Sequence, residues 1–318
     1  MSYVGAVLAA GALLSGGALA QTYPVKPVRL IVPFAPGGGA DFMGRLVAPQ
    51  LTAALGQSVI VENRPGAGGT IGYEAAIKAA PDGHILTLVS TSYSVNPSLY
   101  KLAFDPVRDI QPVIHLSRGP YVVAVHPSLP VQNIKQLIAL AKAQPNTLNY
   151  ASSGQGGNVH LVTELFLYRS GIRMVHIPYK GTGPALIDTL TGQASLIFGS
   201  TSSTLPYVRA GRLRGIAITS LQRSPAAPEI PSVAESGLPG FDAFDWQGIV
   251  GPRGLPKAIV DRLNNELNKT LRSRELVDRL QAAGVGPAGG TPEEFGVLIS
   301  KEIELWRTVV AQAGVKLE

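Results

Sequence analysis

The sequence predicts an α/β protein with two lobes, each built from a mostly parallel sheet flanked by helices. The chain has 318 residues, enough for two domains at roughly 150 residues each. Short apolar segments alternate along it with segments of helical period, an order that favours parallel strands joined by right-handed crossovers. A Pro-, Ser- and Ala-rich connector, residues 222–239, follows two such sets. We therefore expect one lobe to comprise residues 21–120 and 240–318, and the other residues 121–239.

The first set begins with the strand Arg29–Phe34. Its apolar core, residues 30–32, is the continuous run typical of a strand covered on both faces. From Ala40 onward, apolar residues recur at helical spacing. The remaining elements predicted for this set are the strand Ser58–Glu62, a helix from about Thr70 to Ala79, the strand Ile85–Val89, and extended segments at Val113–His115 and Tyr121–Val125 that Gly119-Pro120 separates.

The second set repeats the alternation and is followed by a helical block. Pro256 and Pro292 fall at early helical positions, where proline is favoured. We expect the C-terminal helices to return to the first lobe. The predicted helices are Asn133–Lys142, Asn158–Ser170, Pro184–Thr191, Pro256–Leu271, Ser273–Ala283 and Pro292–Ala313, and the predicted strands are Leu148–Ala151, Met174–Ile177, Ser195–Phe198, Leu213–Thr219 and Gly248–Val250.

Composition argues against two classes of function. The net charge is +6, but the basic residues are scattered and no Lys/Arg run with interleaved aromatic residues occurs, so a nucleic-acid groove is not expected. The chain has no cysteine, which removes disulfides, thiol chemistry and cysteine-ligated metals from consideration.

The first twenty residues have the pattern of a secretory signal peptide. Val4–Leu14 is apolar and rich in small residues, and Ala18-Leu19-Ala20 fits an A-x-A cleavage site before Gln21. The competing interpretation is a membrane anchor, but the apolar core is short for a bilayer span of about 20 residues. We therefore expect residues 1–20 to be removed and the mature chain to be exported to the periplasm.

A glycine triplet, residues 37–39, lies at the first strand-to-helix junction. Backbone N–H groups and the helix dipole favour an anion at such a junction. A tight turn that needs positive φ would also explain one or two of the glycines. From this stretch alone, the two interpretations remain open.

Similar turns follow three other predicted strands. They are residues 90–92, 152–157 and 199–203, and each is rich in hydroxyl side chains. One Ser/Gly turn is ordinary loop chemistry. Four at equivalent strand ends favour a polar cleft between the lobes, near the carboxyl ends of the strands.

Seven blocks occur in order along the chain: "KPVRLIVPFAPGGGAD", "VENRPGAGGTIG", "AAPDGHILTL", "SSGQGGNVHL", "YKGTGPALIDTLTGQ", "LRGIAITSLQRSP" and "PSVAESGLPGF". Together they resemble the substrate-binding proteins of tripartite tricarboxylate transporters, also called the Bug family. The resemblance covers the chain from about Tyr23 to the C-terminus. It implies a periplasmic-binding-protein fold of the Venus-flytrap type, one bound small carboxylate, and delivery to membrane permease subunits.

The resemblance also implies which residues form the ligand site. Backbone amides of the first loop, hydroxyls of later loops and ordered waters would hold one carboxylate, while Asp41 would cap or orient the loop because two like charges in contact repel. No metal or cofactor is implied, and we expect a monomer. The candidate ligand-binding residues are Phe34, Ala35, Pro36, Gly37, Gly38, Asp41, Ser90, Thr91, Ser152, Gly154, Gly156, Tyr179, Gly199, Thr201 and Trp246.

Departures from the family pattern bear on the ligand. Gly157 stands where relatives often carry Ser or Thr. Phe244 and Asp245 precede Trp246 where small polar residues are common. An aromatic ring and an acid near the cleft favour a bulkier or less highly charged ligand than citrate. His84 replaces the usual Tyr of its block, and we expect it to cap a turn.

Enzymatic alternatives have little support in the sequence. It lacks a G-x-S-x-G elbow, an H-E-x-x-H motif and a P-loop. His160 and Glu164 have metal-ligand spacing without a third ligand, and Ser152 with His160 has no acid partner. For Lys180, a cation over the cleft and a solvated turn residue are equally consistent. Beside the solute receptor, two rivals stay open: a ligand-sensing receptor for a signalling partner, and a secreted α/β hydrolase or lyase.

Overall fold

The computed structural model describes residues 23–313, so the predicted signal peptide lies outside the described residues. The strands are Val28–Val32 (β1), Val59–Asn63 (β2), Ile85–Ser90 (β3), Ile110–Val125 (β4), Asn149–Ser152 (β5), Val175–Pro178 (β6), Leu196–Ser200 (β7), Arg214–Ile218 (β8), Phe244–Pro252 (β9) and Gly286–Pro287 (β10). The helices are Gly39–Leu55 (α1), Thr70–Ile77 (α2), Thr91–Leu99 (α3), Ile134–Ala143 (α4), Asn158–Ser170 (α5), Thr182–Leu190 (α6), Thr201–Arg209 (α7), Lys257–Leu271 (α8), Arg274–Ala282 (α9) and Pro292–Ala313 (α10).

The α/β class is confirmed, but the sheet is mixed rather than mostly parallel. Its strand order is β2-β1-β3-β9-β4-β7-β5-β6, with β8 and β10 also paired to β4. Parallel pairs join β1 to β2 and β3, and β5 to β6 and β7. In contrast, β9 runs antiparallel to β3 and β4, and β4 runs antiparallel to β7 and β8. The difference arises because β9 returns from the far end of the chain and inserts between two earlier strands.

Strand β4 is continuous across the Gly119-Pro120 step that the sequence suggested as a break. Residues 110–120 pair with β9, and residues 121–125 pair with β7 and β8. The strand thus divides the sheet into a first half-sheet (β1, β2, β3, β9, β10 and residues 110–120) and a second half-sheet (β5 to β8 and residues 121–125).

Each half-sheet has its own hydrophobic core. In the first, α1 turns Met43, Leu46 and Leu51 onto Leu30 and Val32 of β1, which explains the helical spacing seen in the sequence. In the second, α4, α5 and α6 cover the sheet around Phe166 and Phe198. Full burial of each such side chain contributes about 1.5–3 kcal/mol, so the two cores hold the framework on which the loops between them rest.

Helix α3 was not predicted, because its sequence, TSYSVNPSL, favours turns. Ser and Asn compete locally with helical hydrogen bonds, and Pro97 lies inside the helix. Tertiary packing overrides these propensities, since Tyr93 and Val95 are fully buried. Among the helices of residues 23–313, none has the length and apolar character needed to cross a bilayer.

Candidate functional site

The loops of the two half-sheets touch where their strands end. The backbone N–H of Ala35 donates to the carbonyl of Lys180 at 2.9 Å. A Cβ atom on Gly183 would overlap the carbonyl oxygen of Pro36, so glycine is required for this close approach. Further along the cleft, the hydroxyl of Tyr100 donates to the carbonyl of Gln155 at 2.5 Å. The structure therefore has the two halves closed on each other.

Five helix N-termini converge on this contact zone. Helices α1 and α3 enter it from the first half-sheet, and α5, α6 and α7 enter it from the second. Their N-cap residues make no side-chain capping bond: Gly38, Ser90, Gly157, Gly181 and Ser200.

Two helices that begin away from the zone are capped normally, although α8 begins after Pro256 without a side-chain cap. Asn133 accepts from the N–H of Gln136 at the start of α4, and Ser273 accepts from the N–H of Leu276 at the start of α9. The contact zone thus combines the positive ends of several helix dipoles with N–H groups that no side chain caps, a combination suited to an anion.

Asp41 organises the first of these N-termini. One carboxylate oxygen accepts from the N–H of Gly37 at 3.0 Å and from Nε of Arg45 at 2.9 Å, and the other accepts from Asn63 at 3.0 Å. Although burial raises the pKa of Asp41, the hydrogen bonds from Arg45, Gly37 and Asn63 hold it below its usual value. Asp41 is therefore an ionised support of the loop, with both oxygens occupied by protein groups.

Three recesses open along the contact zone. One of about 240 Å³ is lined by Phe34, Gly154 and Tyr179. Another of about 340 Å³ is lined by Gly37, Gly38 and Asp41. A third, of about 10 Å³, includes Thr201, Ser117, Asp245 and Gln247. Seven of the predicted site residues thus line these recesses, and Ala35 and Pro36 form the contact beside them.

Four other predicted residues direct their side chains or Cα hydrogens into the protein. Ser152 is buried with its hydroxyl 2.6 Å from Nε2 of His176. The indole of Trp246 donates to Glu302 of α10 at 3.1 Å. Ser90 bonds Ser92 at 2.9 Å, and Gly199 packs against Thr204. These groups are therefore engaged within the protein.

Thr91 and Gly156 lie at the contact between α3 and α5. The hydroxyl of Thr91 is 3.5 Å from Asp245 and accepts from the N–H of Trp246 at 3.3 Å. Gly156 has a φ of +68° and lies against the ring of Tyr100.

Asp245 is a buried acid that sequence reasoning noted only as a departure. It accepts from Nδ2 of Asn158 at 2.9 Å and from Nε2 of Gln247 at 2.8 Å. Burial raises its pKa to about 6, against the hydrogen bonds from Asn158 and Gln247 that lower it. Asn158 and Gln247 were missed. The available signal was their position, one at a Gly-rich helix start and the other two residues after the unusual acid.

A cluster of aromatic and ionisable groups lies behind the loop of residues 152–157. The rings of His160 and His176 stack at 4.1 Å, and Tyr150 stacks on His176 at 5.0 Å. Tyr150 donates to Glu164, whose pKa is raised by burial. Burial lowers the pKa of His160 to about 3 and that of His176 to about 4.

This cluster does not form the sites that the spacing allowed. Ser152 pairs with His176 rather than with His160, and Nδ1 of His160 accepts from the N–H of Gly156 at 3.2 Å. Glu164 is 3.9 Å from His160. Within residues 23–313, no group of three His, Cys, Asp or Glu side chains is arranged to hold a metal.

The structure also shows the side-chain contacts of Tyr179 and His84. Tyr179 donates to Asp188 at 2.6 Å, so its ring forms a wall of the 240 Å³ recess. His84 does not cap as a hydrogen-bonded side chain: both ring nitrogens are buried without a partner by the hydrogen-bond criterion, although Nδ1 lies 3.3 Å from Asp82.

A family model described as the tripartite tricarboxylate transporter family receptor matches residues 43–315. The protein BugT of Bordetella pertussis (strain Tohama I) is 39% identical over 302 residues, covering 94% of this chain and 93% of BugT.

Solved structures agree with this match. The periplasmic binding protein BugD is 33% identical with a TM-score of 0.90, over 93% of this chain and 100% of that one. Rpa4515 of R. palustris with adipate is 34% identical with a TM-score of 0.90, over 92% and 99%. MatC from Rhodopseudomonas palustris with bound malate is 31% identical with a TM-score of 0.87, over 91% and 100%.

Proposed function

Because this chain belongs to the tripartite tricarboxylate transporter receptor family, we propose that it captures one small carboxylate between its lobes and delivers it to the membrane subunits of a tripartite transporter. The family consists of periplasmic solute-binding receptors, so the chain is a receptor and not an enzyme. The observation that carries the proposed ligand class is the convergence of five helix N-termini without side-chain caps. The dicarboxylates adipate and malate in two structural neighbours support the same class.

The proposed site lies between the first loop and the facing helix starts. One carboxylate of the ligand accepts from backbone N–H groups of residues 34–38, while Asp41 holds the loop from behind. The hydroxyl of Thr91, together with bridging waters, completes the shell at little energetic cost, while the hydroxyl of Thr201 donates to the carbonyl of Gly284 at 3.0 Å and supports the wall. Gly154 and Gly156 allow the second lobe's loop to approach, and Tyr179 bounds the ligand at the mouth.

The proposed lobes are residues 21–120 with 240–318, and residues 121–239, moving as a hinged pair. The two crossings are β4 near residues 115–122 and the connector within residues 222–246. Hinges of this kind need only a few residues that absorb changes in φ and ψ. We propose that the receptor acts as a monomer in the periplasm after removal of residues 1–20.

The test is calorimetry with adipate, malate and their dimethyl esters. Binding of an acid without binding of its ester supports a carboxylate site. Gly38→Val should abolish binding, since its Cβ would lie 3.2 Å from Thr182 while φ at this position, −94°, is accessible to valine. Ester binding equal to that of the acid, or normal binding by a folded Gly38→Val variant, would overturn the proposal.

A further inference from the structure

Asp245 is a buried carboxylate at the boundary between the half-sheets. It is the second residue of β9 and pairs with Gly119 of β4, and only 6% of it is exposed. Burying a carboxylate costs folding free energy unless its charge is compensated. The groups around Asp245 therefore indicate its role.

The groups of the described chain around Asp245 are neutral. They are the side-chain amides of Asn158 and Gln247, the more distant hydroxyl of Thr91, and the buried phenol of Tyr121, which lowers the pKa of Asp245. In the described part of the chain, Asp245 forms no salt bridge with Lys, Arg or His. The guanidinium of Arg118 lies instead over the ring of Phe244, 3.9 Å from its centroid. Within residues 23–313, no positively charged side chain therefore neutralises this acid.

The recess beside Asp245 is lined by further polar side chains. Gln247 and Ser117 both line it and are at least 95% buried, and Oε1 of Gln247 and Oγ of Ser117 have no hydrogen-bond partner. Ser200 and Thr201, at the start of α7, line the opposite wall. An amide oxygen accepts but never donates, so a group that satisfies Oε1 of Gln247 must carry an N–H or O–H donor, whereas the hydroxyl of Ser117 can either donate or accept.

We propose that Asp245 and Oε1 of Gln247 bind the ammonium group of the ligand, so that this receptor selects an amino-substituted carboxylate over the corresponding plain diacid. The inference rests on the proposed carboxylate-binding function and names its substrate class. The recess of about 10 Å³ has the size of a single small polar group. An ammonium there supplies the missing counter-charge and a donor for Gln247, whereas the corresponding plain diacid has the same two carboxylates and no counter-charge for Asp245.

The test compares matched ligands by calorimetry: succinate with L-aspartate, glutarate with L-glutamate, and adipate with L-2-aminoadipate. In the pair whose chain length fits the site, the amino acid should bind at least tenfold more tightly than the plain diacid. Asp245→Asn keeps the side-chain shape. It should bring the ratio of the two affinities to about one, because the amino acid binds more weakly and the diacid more tightly. Asp242→Asn is the matched control. It removes a charge three residues away from Asp245 and should leave the affinity ratio unchanged.

The results of these titrations distinguish failure of the carboxylate-binding function from failure of the ammonium site. If no acid of any pair binds, the proposed carboxylate function fails. If diacids bind as tightly as their amino counterparts, the function stands and the ammonium site is overturned. Asp245→Ser is a second variant for the case that Asn does not fold, with the same expected loss of preference. Titrations in sodium buffer and in choline buffer test whether a free cation, rather than the ligand's ammonium, occupies the recess beside Asp245. If diacids bind only in sodium and the amino acids are not preferred, the ammonium site is overturned.

Discussion

The backbone N–H of Gly37 donates to the carboxylate of Asp41 at 3.0 Å, so an acid inside helix α1 fixes the turn that precedes it. The same carboxylate binds Arg45 and Asn63. A negative charge beside a proposed anion site is tolerated here because it is already neutralised and aims its oxygens at the loop.

Asp41→Asn should weaken binding of the best diacid modestly, by about threefold to tenfold, because the loop loses an ionic anchor and not a ligand contact. It should also destabilise the fold by about 1–2 kcal/mol, as expected for weakened hydrogen bonds to a charged group. Calorimetry and urea unfolding measure the two effects. Asp105→Asn is the matched control, since Asp105 anchors the backbone N–H groups of Val107 and Arg108 in a turn elsewhere. Complete loss of binding with unchanged stability would make Asp41 a direct ligand contact.

Gly183→Ala should prevent full closure. Its added methyl would occupy the position of the Pro36 carbonyl oxygen, and a packed contact of this kind has no room for it. We expect at least a tenfold loss of diacid affinity and a smaller ligand-induced decrease in the radius of gyration, measured by small-angle scattering. Gly296→Ala in α10, where the methyl meets Pro112 at an ordinary 3.4 Å, should behave as the wild type. Normal compaction of Gly183→Ala would show that the lobes close without this contact.

The histidine cluster should make stability depend on pH. Burial lowers the pKa of His160 to about 3 and that of His176 to about 4, so between these values and about 6.5 the unfolded chain binds more protons. Their contribution is therefore fully present above pH 6.5 and is lost as the pH falls towards 4. Glu164, Tyr150 and Ser152 are the polar groups against these rings.

The measurement is urea unfolding of the wild type and of the double variant His160→Gln/His176→Gln at pH 7, 6, 5 and 4.5. The difference in unfolding free energy between the two proteins should change over this range, while carboxylates such as Asp41 affect both alike. A constant difference would show that the two rings do not titrate on unfolding.

The two tryptophans of the chain share one acceptor. Both indole N–H groups donate to Oε2 of Glu302, Trp246 at 3.1 Å and Trp306 at 3.2 Å. Glu302→Ala leaves two buried donors unpaired and should destabilise the fold by about 2–4 kcal/mol. The tryptophan emission should shift to the red. Glu304→Ala, which removes an exposed ion pair with Arg307 on the same helix, should change neither quantity.

Local patterns predicted most of the elements of the fold. Burial explains the apolar run of β1 and the spacing of Met43, Leu46 and Leu51. Both patterns can be recognised within a short stretch of the sequence. The pairing of β9 between β3 and β4 has no local signal, because both partner strands lie more than 120 residues away in the sequence. Helix α3 was missed for a related reason: only its packing overcomes its composition.

The contact zone between the half-sheets was predicted at the level of loops rather than side chains. Glycines at strand ends located the contact zone, since positive φ at Gly37 and Gly154 and the close approach at Gly183 demand that residue. The directions of Ser152 and Trp246 were not predictable, because they depend on His176 and Glu302, distant in sequence. Asp245 was visible as an unusual acid, but its burial became apparent only from the structure.

The insertion of β9 has a consequence for biosynthesis. In the described sheet, β9 is the strand that joins β3 to β4, and it spans residues 244–252. While the chain is being made, the first half-sheet therefore keeps two unpaired strand edges until about four-fifths of the polypeptide has emerged. Open edges of this kind hold a chain in an incompletely folded, aggregation-sensitive state. A polypeptide that must thread through a translocation pore before folding gains time from this delay.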